Sequence, residues 1–116
     1  MGYDRLNAYH AAVELRREVD SILTDIKGVP VKGVGNTVRH LNEAVDSVAN
    51  NIAEGNDSQY PKRRASFFEN APGSVREARN CLQSLAMRKA VSPRRVYGAI
   101  GLTYVIGKML YRLPIK

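Results

Sequence analysis

The chain has 116 residues, a single cysteine, no tryptophan and a formal net charge of +7 at pH 7. That length builds one domain around one continuous core, and a lone Cys81 excludes an internal disulfide. There is no charged-then-apolar leader and no long apolar run, so the protein is expected to be soluble and cytoplasmic, with no membrane partner. Asn56-Asp57-Ser58 fits a glycosylation pattern but reads, in that setting, as a polar turn.

Ala8, Ala12, Leu15, Val19, Ile22 and Ile26 alternate in steps of four and three, which puts them on one side of a helix. This first helix is expected to end near Lys27, because Val29-Pro30, Gly33 and Gly35 break the pattern. Gly33 and Gly35 form a GxG, but no strand precedes them and the rest of a phosphate-loop pattern is absent, so they read as a turn. Asn36 or Thr37 is expected to cap a second helix carrying Val38, Leu41, Val45, Val48 and Ile52. Gly55 is expected to stop that helix in a left-handed conformation. Glu54 sits at the end of the helix dipole that disfavours a carboxylate, so it is expected to pair with a cation of a neighbouring helix or subunit.

Pro61 suits the first turn of a third helix, whose stripe is Phe68, Ala71, Val75, Ala78, Leu82 and Leu85. Pro72 falls inside that stripe, and an interior proline costs about 3 kcal/mol, so the helix is expected either to bend at Ala71-Pro72-Gly73 or to break into two collinear pieces. Ser92-Pro93 opens a fourth helix carrying Val96, Ile100, Thr103, Ile106, Leu110 and Leu113, closed by Pro114. Gly98, Gly101 and Gly107 weaken it, which close approach of another helix or subunit would offset. No segment alternates as a strand does. The expected fold is therefore all-α, an up-down-up-down antiparallel four-helix bundle over residues 1–116.

Charge is divided unevenly along the chain. Residues 1–61 hold six Lys/Arg against nine Asp/Glu, a net of −3, and residues 62–116 hold twelve against two, a net of +10. Such a split points to a surface for polyanions or to complementary faces that meet on association. Candidate nucleic-acid contacts are Lys62, Arg63 and Arg64 at the start of helix 3, Arg76 and Arg79 one turn apart along it, and Arg88, Lys89, Arg94 and Arg95 around the turn to helix 4. The first three lie at the positive end of the helix dipole, a local cost that a polyanion would relieve. Tyr97, Tyr104 and Tyr111 recur every seven residues among Arg94, Arg95, Lys108 and Arg112. Such a strip serves either to stack unpaired bases or to pack on a second subunit, for which Gly101, Tyr104 and Tyr111 are the candidates.

Catalysis finds no footing in these residues. His10 and His40 have no second ligand at metal spacing, and the carboxylates Glu14, Glu18, Glu43 and Asp46 lack the Glu-x-x-His spacing of a di-metal bundle. Cys81 follows Arg79 and Asn80, which would depress its pKa if it were exposed, but its place beside Leu82 reads as a small core residue. No enzyme activity, metal or cofactor is expected.

Asn51-Ile52-Ala53-Glu54-Gly55, followed by Gly73-Ser74 and Glu77 with Phe67 and Phe68 between, carries a family resemblance. This word pair resembles the signature of the four-helix-bundle family encoded in 23S rRNA intervening sequences, which also takes in the accessory proteins of diversity-generating retroelements. Pro72 and Arg64 depart from it, where the family has an ordinary helix former and an aromatic. The resemblance implies a ring-shaped homo-oligomer, typically a homopentamer, with no catalytic function and a basic surface for RNA or DNA; the retroelement members also bind a reverse transcriptase. The expected function is thus an oligomeric, RNA-leaning adaptor. The alternative is a structural or protein-interaction module whose charge split serves subunit assembly.

Overall fold

Four helices follow one another: α1 Tyr3–Asp25, α2 Val34–Asp57, α3 Pro61–Met87 and α4 Pro93–Tyr111. The computed structural model describes residues 3–26, 28 and 32–113, and no strand occurs among them. Lys27, Val29-Pro30 and Pro114, expected to mark helix ends, lie outside the described residues. Each helix packs on two neighbours, α1 on α2 and α4, α3 on α2 and α4, and among the described residues the backbones of the diagonal pairs do not approach closely. The molecule measures 46 × 21 × 18 Å.

The apolar stripes turn inward nearly residue for residue. Ala8, Ala12, Leu15, Val19, Ile22 and Ile26 of the first stripe and all six positions of the third are buried. In α2 the buried set widens to Val34, Thr37 and Ala44, while Val38 is half-buried. In α4 Ala99 takes the buried position expected for Ile100, which sits half-buried at the margin. Thr103 is fully buried, its hydroxyl donating to the Ile100 carbonyl at 2.6 Å.

Three local expectations are corrected. The start of α2 is Val34, with Gly33 at the N-cap in a left-handed conformation (φ 84°) and no side-chain cap. Asn36 and Thr37 are inside the helix, as is Gly35, and the Thr37 hydroxyl donates to the Gly33 carbonyl at 3.2 Å instead of capping. Gly55 does not stop α2, which runs on to Asp57. Its reason for being glycine is contact: a Cβ there would lie 2.8 Å from Phe68 Cζ. Finally, α3 does not break into two pieces at Pro72 but is one helix of 27 residues. The proline leaves the Phe68 carbonyl without its helical donor, yet the flanking Phe68, Ala71 and Val75 are buried, and that packing outweighs the lost bond.

The α2–α3 seam is where the two signature words meet. Gly55 lies under the Phe68 ring. The Ser47 and Ser74 hydroxyls bond at 2.7 Å, and Asn51 Nδ2 donates to the Ser47 hydroxyl at 3.1 Å. His40 Nδ1 stands 4.0 Å from Glu77 Oε1. Asn51, Gly55 and Ser74 are therefore helix-packing residues, while Glu77 is exposed at the margin of the seam.

The turn after α3 carries the only non-glycine residue with positive φ among the described residues, Lys89 at 62°. Its N–H donates to the Ala86 carbonyl and that of Ala90 to the Leu85 carbonyl, both at 3.0 Å, a Schellman closure with Ala90 buried. A left-handed L-residue costs roughly 1–2 kcal/mol. Lys89→Gly is accordingly expected to raise stability by about 0.5–1 kcal/mol, after the entropy glycine adds to the unfolded chain, as read from urea unfolding midpoints.

Candidate nucleic-acid interface

The sequence-predicted cations divide into those the fold uses and those it leaves to solvent. At the start of α3 the Arg64 Nη2 donates to the Ser58 carbonyl at 3.0 Å, tying the α2–α3 turn to the helix. Arg63 lies over the Tyr60 ring, 5.4 Å from its centroid. Around the α3–α4 turn Arg88 Nη1 donates to the Lys32 carbonyl at 3.0 Å, and Arg95 donates to Asp25 at 2.6 Å and to the Ser21 hydroxyl at 2.8 Å. Arg64, Arg88 and Arg95 thus fasten connections between elements. Lys62, Arg76, Lys89 and Arg94 are exposed and make no ion pair or side-chain hydrogen bond to another described residue. Glu54 likewise makes no ion pair among the described residues.

A groove runs between α3 and α4. Phe68, Pro72 and Val75 of α3 and Gly107 and Leu110 of α4 line it with apolar surface, and Arg76, Arg79 and Tyr111 stand on its edges around a volume of about 530 Å³. It continues into a second hollow bounded by Arg79, Tyr104, Lys108, Tyr111 and Arg112. Gly107 opens the path, since the nearest atom to a Cβ there would be an Arg79 nitrogen at 4.0 Å. Four cations thus surround a partly apolar cleft in which Glu69 is the single carboxylate.

Arg79 is the best-held of these cations. Its Nε donates to the buried Thr103 hydroxyl at 2.9 Å, and its guanidinium carbon stands 3.7 Å from the centre of the Tyr104 ring. A stacked, hydrogen-bonded guanidinium has lost most of its rotamer freedom, so it meets an anion at little further entropic cost. The tyrosines face outward: Tyr97 is 79% exposed, Tyr104 52% and Tyr111 91%. Gly101, on the same face, has nothing within 4 Å of a Cβ, so no contact among the described residues accounts for it. Gly98 is different, lying 3.4 Å from Glu18 of α1 at that position.

Arg76, Tyr104 and Tyr111 are exposed and Arg79 is half-buried, and the sequence reading took their helices separately. The groove needs Pro72 and Gly107, on different helices, to oppose each other. A missing Cβ in α4 and a missing N–H in α3 were the available signals, and both read as defects in a single helix. The other candidates gain nothing from the fold. Burial raises the Cys81 thiol above its ordinary pKa and Glu77 raises it further, which opposes a reactive thiolate. His10 is exposed, next to Tyr9.

No curated protein and no solved structure matches the chain. A family model does, over residues 4–112, spanning all four helices and both walls of the groove, and the chain belongs to the family it describes, the 23S rRNA-intervening sequence proteins.

Proposed function

We propose that this protein is a non-catalytic RNA-binding adaptor that holds the phosphodiester backbone along the α3–α4 face. The observation that carries the reading is the groove, where Arg76, Arg79, Lys108 and Arg112 gather with Tyr104 and Tyr111 in the half of the chain that carries the positive charge. Exposed Lys62, Lys89 and Arg94 extend the positive field towards both ends of α3. Cations interleaved with outward tyrosines suit a chain of phosphates with unpaired bases. The up-down-up-down order belongs to the same proposal. Asp25 with Arg95 and Glu18 with Gly98 run in opposite senses along α1 and α4, and so do Ser47 with Ser74 and Gly55 with Phe68 along α2 and α3.

The test is a salt titration of binding to an unstructured RNA. The logarithm of the binding constant is expected to fall linearly with the logarithm of salt concentration, by about 0.7 per phosphate contact, giving a slope near −3 for four contacts. A slope near zero overturns the reading.

A second reading, self-association through α4, is favoured by one observation: Tyr97, Gly101 and Val105 are exposed on one side of α4, Val105 being 44% exposed, and no described residue comes within 4 Å of a Cβ at Gly101. Gly101→Leu and Tyr104→Glu are expected to shift the mass seen by light scattering towards the monomer. Unchanged mass in both variants removes α4 from any subunit contact.

A further inference from the structure

The α3–α4 groove has a property that phosphate binding alone does not use. Its floor is apolar, with half-buried Pro72 and Gly107 as the accessible part over the buried Phe68, Val75 and Leu110, and it is wider than a phosphate requires because Gly107 has no side chain. Cations stand on both sides of this floor, Arg76 and Arg79 from α3 and Lys108 and Arg112 from α4. Tyr111 borders both hollows with 91% of its surface exposed, and Tyr104 is stacked against Arg79.

We propose that the groove takes an unpaired base of single-stranded RNA between Tyr111 and the apolar floor, with the neighbouring phosphates on Arg76 and Arg112, so that the protein selects single strands over duplex. The inference rests on the RNA-binding reading above and adds the part of the nucleic acid that is recognised. A duplex offers phosphates but keeps its base faces stacked inside, so it leaves the floor of the groove in water. A single strand can turn a base outward, remove that apolar surface from water and stack on the tyrosine. Every base has such a face, so the preference is for unpaired structure and not for sequence. An acidic amphipathic peptide would match the same charges, but the tyrosines alternating with cations along α4 favour a chain in which phosphates and flat rings alternate.

The experiment compares three fluorescein-labelled ligands by anisotropy with the full chain: a single-stranded oligoadenylate, that strand annealed to oligouridylate, and a phosphodiester chain of the same length without bases. The expected result is binding of the first at least tenfold tighter than of the other two, within the range base stacking supplies. Gly107→Leu, which fills the groove without changing charge, and Tyr111→Ala, which removes the stacking ring, are each expected to erase most of that margin and to leave duplex affinity unchanged. If Gly107→Leu loses helix by circular dichroism, the exposed Tyr111→Ala decides. Equal affinity for the three ligands, or a margin that neither variant touches, overturns the inference while backbone binding stands. A polyglutamate peptide bound in a Gly107→Leu-sensitive manner, with no preference among the nucleic acids, also overturns it. No binding of any of the three overturns this inference and the RNA-binding reading together.

Discussion

Phe68→Ala is expected to lower stability by about 3–5 kcal/mol, the cost of removing a fully packed aromatic ring. Phe68 is 2% exposed, fills the α2–α3 seam above Gly55 and also floors the α3–α4 groove, so the void it leaves faces two interfaces. The same contact limits Gly55. A Cβ there would lie 2.8 Å from Phe68 Cζ and 3.0 Å from each Cε, closer than side chains pack. Gly55→Val is therefore expected to cost about 1–3 kcal/mol through overpacking, although an unstrained replacement of a mid-helix glycine would stabilise. The pair offers an internal check. Combined with Phe68→Leu, Gly55→Ala is expected to cost less than the two single changes added together, because the smaller side chain makes room for the methyl group. Urea unfolding of the four proteins measures this, and strict additivity would place Gly55 outside the seam.

Neutralising Arg76, Lys108 and Arg112 together to glutamine is expected to flatten the salt dependence of RNA binding by about two log units per log unit of salt, close to 0.7 for each phosphate contact removed. None of the three fastens one helix to another, so thermal stability is expected to stay within a few degrees of the parent. Arg79 is left in place because its bond to Thr103 and its stacking on Tyr104 make it part of the packing as well as of the surface. Neutralising Arg64, Arg88 and Arg95 gives the contrasting outcome, a loss of stability with a smaller change of slope, since these residues hold the turns between helices. A variant of the first set whose slope matches the parent's would move the RNA surface off the α3–α4 face.

The two sets of cations differ in what they meet, which the charge pattern along the chain does not encode. Their clustering was plain in the sequence, but a guanidinium serves a backbone carbonyl, a carboxylate or a phosphate equally well. Which of these it meets depends on what folds next to it. Arg95 meets Asp25 from seventy positions away, while Arg94 beside it faces solvent.

The sequence alone determined the helices, their inward faces and the starts of α3 and α4, because the period of apolar residues and the positions of Pro61, Ser92 and Pro93 act locally along the chain. The roles of Gly55, Pro72 and Gly107 were settled only by the tertiary structure. Each is locally unfavourable in a helix; Gly55 and Pro72 are offset by packing between helices, the Phe68 ring over Gly55 and the buried residues flanking Pro72, while Gly107 leaves open space between α3 and α4. Such compensation depends on distances between helices, which no spacing along one helix encodes.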